Sequence, residues 1–310
     1  MRVGPSLPAA WRQRSVSPTA SRSSIESLFE PAPPAWEDII DGQHPEGDLG
    51  DDPDLSRPNL ARMYDYFLGG SANFEIDRRV AEEAAERAPA SVTFAVENRA
   101  FLRRVVRYLL DAGVDQFLDL GSGVPTAGNV HEIAHERAPW ARVAYVDHEP
   151  VAVAHAQRLL RDSPNVTITR ADARDTATVL NAPGVSGLLD FDRPVAVLAV
   201  ALLHAIPDHD DPGAMLAAYR DACCTGSAVA VSHLAGTAFT SDEQQAVREL
   251  LEATPTPVTL RDREAIGRLL TGYRLVDPGL VLLPDWRSDD ENPPRHSAAH
   301  ANGYAGVGWC

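Results

Sequence analysis

An apolar strand that runs straight into a glycine turn sets the frame for this chain: Gln116-Phe117-Leu118-Asp119-Leu120-Gly121-Ser122-Gly123. Glycine lets a backbone reverse tightly at a strand end and approach a ligand closely, and a helix after the turn offers free backbone N–H groups. The next apolar segment closes on an acid, Asp147, placed to accept hydrogen bonds from ribose hydroxyls. Together these features predict a nucleoside-type cofactor site at the carboxyl edge of a parallel sheet.

The rest of the pattern supports such a sheet. Apolar runs predict strands at Gln116 to Leu120, Val143 to Val146, Val166 to Thr169, Val195 to Ala201 and Ala228 to His233. Helical periodicity predicts helices at Thr126 to Arg137, Pro150 to Arg161, Asp175 to Asn181, Pro212 to Ala222 and Ser241 to Ala253. The run Val195 to Ala201 is apolar throughout, as a central parallel strand covered on both faces requires. Regular alternation of this kind predicts a doubly wound, Rossmann-like α/β sheet. After a further helix, Arg261 to Leu270, two shorter strands are expected near Leu280 to Leu283 and Tyr304 to Trp309, joined by the polar insert Arg287 to Asn302.

Ahead of the sheet lie two helical signals. Asn59 to Leu68 reads as a helix ended by Gly69-Gly70, and Glu97 to Leu110 carries an apolar stripe of Phe101, Leu102, Val105, Val106 and Leu109, the spacing of an amphipathic helix. Residues 1–55 differ in kind: Ser, Pro and Arg dominate first, an acidic segment follows, and little could bury a core, so they read as a disordered tail. The expected organisation is a tail over 1–55 and one domain over 56–310. Within that domain, 56–112 form an N-terminal helical cap and 113–310 the Rossmann-like core.

Bulk properties narrow the partners. A net charge of -16 over 310 residues argues against nucleic acid, whose phosphates demand a basic surface. No apolar run is long enough to span a bilayer, so no membrane is expected. Of three cysteines, Cys223 and Cys224 are neighbours and no Cys-x-x-Cys pair exists, which points to a reducing cytoplasm and no zinc ribbon.

The glycine turn leaves two cofactors to weigh. A nicotinamide fingerprint has glycine at the sixth position of Gly-x-Gly-x-x-Gly, where this chain has Thr126; a nicotinamide oxidoreductase is the weaker reading. Asp119, two residues before Gly121, resembles the Asp/Glu-x-Gly-x-Gly of S-adenosyl-L-methionine (SAM) methyltransferases. Three further segments resemble that class in order: Tyr145-Val146-Asp147-His148-Glu149-Pro150, Arg170-Ala171-Asp172-Ala173-Arg174-Asp175 and Ala201-Leu202-Leu203-His204-Ala205-Ile206-Pro207-Asp208. More narrowly, Arg62 to Phe74, Asn98 to Leu102, Gly123 to Glu132 and Gly303 to Gly308 resemble the segments of an actinobacterial family of SAM-dependent methyltransferases, over about residues 58 to 310.

That resemblance implies a mostly parallel seven-stranded sheet with one antiparallel strand, SAM as cofactor, and methyl transfer to an O, N, C or S atom. Charge favours a small-molecule acceptor. It implies cofactor contacts from Asp119, Gly121, Ser122, Gly123, Asp147, His148, Asp172 and Ala173, with Asp147 on the ribose and Asp172 on the adenine amino group. Asn73 and Arg99 are candidates for the methionine carboxylate, which suits a guanidinium. Tyr64, Tyr66 and Phe74 are candidates for an acceptor pocket. His204 leaves a central strand and is read either as a general base or as a wall of the adenosine pocket. A SAM-binding regulatory module without turnover is the alternative function. His131-Glu132-Ile133-Ala134-His135 matches a zinc-protease pattern, but it falls in the first crossover helix with no third ligand in view, so no metal is expected.

Overall fold

The computed structural model describes residues 56–124, 128–237, 239–252, 254–288 and 302–310; the tail over 1–55 lies outside them. Three helices come first: α1 (Leu60–Phe67), α2 (Glu75–Arg87) and α3 (Ala90–Asp111). Asn59 caps α1, its side chain accepting from the N–H groups of Ala61 and Arg62, as a short polar side chain at that position should. Helix α2 was not anticipated. Its buried stripe is only Val80, Ala81 and Ala84 with Asp77, too small and too polar to stand out among its charged neighbours. Helix α3 begins before the expected Glu97, at Ala90.

Strands and helices then alternate: β1 (Gln116–Leu120), α4 (Val130–His135), β2 (Arg142–Asp147), α5 (Pro150–Leu159), β3 (Val166–Arg170), α6 (Thr176–Asn181), α7 (Pro183–Ser186), β4 (Ala196–Val200), α8 (Pro212–Ala222) and β5 (Ala228–Leu234). The expected start of α4 at Thr126 lies outside the described residues; an Asn129–Glu132 capping box fixes the first turn of the helix from Val130. After α9 (Ser241–Glu252) and α10 (Arg263–Leu269) come β6 (Arg274–Leu275), β7 (Val281–Leu282) and β8 (Gly303–Trp309).

The sheet order is β3-β2-β1-β4-β5-β8-β6, with β7 also on β8. Strands β1 to β5 are mutually parallel, and β8 runs antiparallel to β5. Strand β6 pairs with Trp309 and Gly308, and β7 with Ala305 and Tyr304. The two short strands thus share one edge of β8, like one interrupted strand, so the sheet has seven positions and eight strands. Strand β6 was not expected; two exposed residues, Arg274 and Leu275, carry no alternation to read.

Both sheet faces are covered. Phe117, Ala196, Leu198, Ala228 and Ala230 pack beneath α3 and α4, against Phe101, Val105, Leu109 and Ile133. Their neighbours Leu118, Leu120, Val197, Ala199, Val229 and Val231 face the other way, against Val179, Leu216, Tyr219 and Ile266. The period-two alternation of a strand thus sends successive side chains into two cores. Helix α3 is one of the layers on the sheet, whereas α1 and α2 stand over its edge, α2 against α9.

Strand order reverses between β1 and β4: β2 and β3 lie to one side, β5 and β8 to the other. Such a switch point opens a crevice beyond the strands' carboxyl ends. The glycine turn after β1 and the segment after β4 both leave the sheet there.

Candidate functional site

A cleft of about 240 Å³ opens at this switch point. One end is polar. Gly121 and Gly123 take φ of +66° and +65°, a region that side chains with a Cβ enter only at a cost. A Cβ on Gly121 would stand 2.6 Å from the Leu202 side chain, so glycine is also what lets the two strand exits approach each other. Asp147 closes the turn: its Oδ2 accepts from the Gly123 N–H at 2.7 Å and its Oδ1 from the Glu149 N–H at 2.8 Å. Each oxygen keeps further acceptor capacity.

Asp119, Gly121, Ser122, Gly123, Asp147, His148 and Arg99 all line this end. Asp119 is buried, and desolvation pushes its carboxyl up to about 7; Arg99 opposes the shift and Asp147 adds to it. A small annex behind the turn is lined by Arg99, Asp119, Ser122, Asn129, His131 and Tyr145. An acid and a guanidinium therefore face one polar recess, able to meet an ammonium and a carboxylate together.

The segment after β4 forms the middle of the cleft. Ala201 adopts φ +57°, a costly conformation for a residue with a Cβ, and the Ser232 hydroxyl oxygen accepts its N–H at 2.8 Å. His204 follows, buried, stacked edge-on against Phe94 and His233. Its Nδ1 accepts from the Leu234 N–H at 3.4 Å, which places the ring proton of the neutral tautomer on Nε2. Burial, with Arg261 nearby, pulls its pKa down to about 4. The residue read either as a general base or as a wall is thus a neutral imidazole with a donor on Nε2.

Arg261 holds this segment in place. Its guanidinium donates to the carbonyls of Leu203 and Ile206, both at 2.7 Å, and to Asp208 Oδ1. It also meets His233 Nε2 at 3.0 Å, while His233 Nδ1 lies 2.7 Å from the Leu234 carbonyl. Desolvation takes His233 down to about 2, so it too is neutral.

The far end is apolar. Leu60, Met63 and Phe67 of α1, Phe94 and Leu102 of α3, and Leu250 and Leu251 of α9 line it, with Val258 from the segment after α9. Tyr64 lines it as expected, its hydroxyl donating to the Ala95 carbonyl and accepting from Asn98 Nδ2 at 2.9 Å. Asn98 Oδ1 in turn accepts from the Ser232 hydroxyl. A continuous chain of polar groups thus runs from Ala201 through Ser232 and Asn98 to Tyr64.

Five expected contacts are not brought into the cleft. Asn73 is consumed locally: its Nδ2 donates to Asp65 at 2.6 Å and to the Gly70 carbonyl, and Arg78 donates to its Oδ1. The Tyr66 hydroxyl points outward to Glu82 at 2.7 Å. Phe74 packs with Ala72, Val124, Val151 and Ala152 beneath the Arg62 guanidinium. Asp172, its side chain 41% exposed, is clasped by Arg174, which also reaches Asp210; that hydrogen bond holds its carboxyl below the ordinary range. Ala173 is buried, its carbonyl accepting from the Tyr219 hydroxyl at 2.8 Å.

The zinc-like pattern is built into the helix itself. Glu132 accepts from the N–H groups of Gly128 and Asn129, His131 Nδ1 meets the Tyr145 hydroxyl at 2.8 Å, and His135 Nε2 meets the Ala141 carbonyl at 2.9 Å. Among the described residues no group of three or more His, Cys, Asp or Glu side chains could hold a metal ion.

Sequence reasoning missed Arg62, Asp77, Glu149, Ser232 and Arg261, and gave Asn98 no role. Asn98 did leave a signal: it occupies the apolar stripe of α3, four residues from Phe94 and from Leu102, where a polar side chain must find partners.

A family model described as S-adenosyl methyltransferase matches residues 47–310. Two solved structures share the fold over most of their length. A putative methyltransferase from Thermobifida fusca YX is 40% identical, with a TM-score of 0.76, over 83% of this chain and 96% of its own. A DUF574 family protein from Streptomyces avermitilis MA-4680 is 31% identical, with a TM-score of 0.78, over 83% of this chain and 98% of its own. Among curated proteins none matches.

Proposed function

Because this chain belongs to the S-adenosyl methyltransferase family, with SAM as its cofactor, we propose that the cleft moves a methyl group from SAM to a small-molecule acceptor. The observation that carries this reading is the division of one cleft into a polar end at the glycine turn and an apolar end beneath α1 and α9. The nicotinamide alternative falls with the family match.

The residues present suit the cofactor. The Gly121–Gly123 turn presents backbone without side chains, and the remaining lone pairs of Asp147 can accept ribose hydroxyls. Arg99 and Asp119 offer a cation and an acid to the amino acid end. His148, beside Asp147, and the wall from Ala201 to His204 would flank the adenosine. When bound, SAM supplies a methyl group already activated by its sulfonium.

The chain's own contribution is then placement. Methyl transfer needs the acceptor atom in line with the methyl–sulfur bond and water kept away. The strained turn at Ala201, braced by Ser232, sets the height of the wall at the middle of the cleft. Arg261 fixes the Leu203–Asp208 segment from behind. His204, with its proton on Nε2 and a pKa far below neutrality, orients an acceptor by donating a hydrogen bond to it. It does not take a proton from it.

The test is incubation of the protein with SAM labelled in its methyl group and a cell extract. Label in the small-molecule fraction, lost in Asp147→Ala, is the expected result. Normal SAM binding with no labelled product, or label only in macromolecules, contradicts the proposal; the former result favours a SAM-binding module without turnover.

A further inference from the structure

We propose that the acceptor is an uncharged, largely apolar molecule whose polar atom accepts a hydrogen bond, and that an anionic or cationic acceptor is excluded; this rests on the methyltransferase reading above.

The argument starts from where charge lies in the cleft. Among the described residues, every Arg, Asp and Glu of the lining sits at the glycine-turn end, together with His148: Arg99, Asp119, Asp147 and Glu149. Those groups are already committed to the turn, to each other or to the cofactor. Beyond Ala201, among the described residues, the lining contains no Asp, Glu, Lys or Arg.

The walls of that far end come from α1, α2, α3 and α9 and the segment after α9, which carry apolar side chains. Met63 of α1 and Leu250 of α9 pack in one cluster with Val80, Ala81 and Ala84 of α2. Phe94 and Leu102 of α3 close the floor. The segment after α9 closes the side, anchored by the Thr259 N–H donating to the His204 carbonyl at 2.7 Å. A charged acceptor placed here would leave water with no counter-charge and no dense set of donors, and would bind far more weakly than a neutral one. An apolar acceptor would gain free energy in proportion to the area it buries.

The polar groups present refine the class. Asn98 is engaged at both ends by Ser232 and Tyr64, and the Tyr64 hydroxyl already donates to the Ala95 carbonyl. His204 is then the donor in the middle of the cleft, through Nε2. A hydroxyl, carbonyl or ring-nitrogen acceptor would meet it; a phosphate or carboxylate would ask for a cation that the walls do not supply.

The test uses three aromatic probes of one shape and different charge, with the protein saturated by S-adenosylhomocysteine: naphthol, naphthoate and naphthylmethylammonium at neutral pH. Fluorescence titration is expected to give saturable naphthol binding at least tenfold tighter than either ion. Val258→Lys and Leu251→Lys place a cation in the half-buried part of the wall; each is expected to invert the preference toward naphthoate while S-adenosylhomocysteine affinity stays as in wild type. Equal or tighter binding of an ion by the wild type, no naphthol binding at all, or no inversion in either folded variant overturns the proposal. Failure to bind S-adenosylhomocysteine would instead strike the methyltransferase reading itself, so the two failures are distinct.

Discussion

Arg62 reaches from α1 to Glu149 at 3.1 Å, and its Nε meets Asp77 of α2 at 2.8 Å, with all three side chains buried. Glu149 in turn caps α5, accepting from the Ala152 N–H, two residues after the acid that closes the glycine turn. The helices over the apolar end of the cleft are thereby pinned to the glycine-turn end through one guanidinium.

Removing that guanidinium leaves two buried carboxylates without their cation. Breaking a buried pair in this way costs on the order of 3–5 kcal/mol. Arg62→Met is therefore expected to lower the denaturant midpoint strongly and to weaken S-adenosylhomocysteine binding, as Glu149 loses its partner. Urea unfolding alongside a binding titration checks both. A midpoint within error of wild type would show that the triad does not hold the two ends together.

Asp119 makes a pH-dependent prediction. Its carboxyl keeps a proton up to about 7 in the folded chain, against an ordinary 3.8. Between those values the folded state binds more protons than the unfolded one, so this group makes stability fall as pH rises. His204 and His233, lowered to about 4 and about 2 from 6.5, tilt stability the other way, because the unfolded chain takes up their protons first as pH falls. Comparison with Asp119→Asn cancels the histidines. Without cofactor, the variant is expected to gain on wild type in melting temperature as pH climbs from about 4 to about 7, measured by scanning calorimetry. A constant difference across that window would refute the shift.

Asn98 joins α1, α3 and β5 through Tyr64 and Ser232. Asn98→Leu fits the apolar stripe of α3 but strips a partner from each hydroxyl, and an unsatisfied buried polar group costs about 1–3 kcal/mol. The variant is expected to unfold at lower denaturant and to bind acceptor-like probes such as naphthol less tightly, with cofactor affinity reduced less. Wild-type stability together with wild-type probe binding would contradict this account of the network.

The sheet was legible because its strands are short apolar runs separated by glycine or helix signals, and β1 was delimited to the residue by Gln116 and Leu120. The polar half of the cleft was legible for a related reason: Asp119, Gly121, Gly123 and Asp147 sit at strand ends, where topology fixes their destination before side chains pack. Asn73 and Phe74 lie between α1 and α2, and Tyr66 lies in the last turn of α1; the way these side chains face depends on tertiary contacts, which turn them away from the cleft. Asn73 answers to Asp65, and Phe74 to Arg62. Asp172 was placed at the right strand end, but the neighbouring Arg174 captures its carboxylate. The Arg62–Asp77–Glu149 and Arg261–Asp208 pairs left no trace in local pattern, since their partners are distant in the chain and charge alone does not reveal burial.

The central claim is that one cleft holds SAM through the turn that Asp147 closes, and calorimetric titration with S-adenosylhomocysteine tests it most directly. Asp147→Ala removes the acceptor for the Gly123 N–H and the carboxylate proposed for the ribose. Saturable one-to-one binding to wild type, weakened at least tenfold in a folded Asp147→Ala variant, is the predicted result. Equal affinity in the two proteins, or no binding to the wild type, would contradict the account.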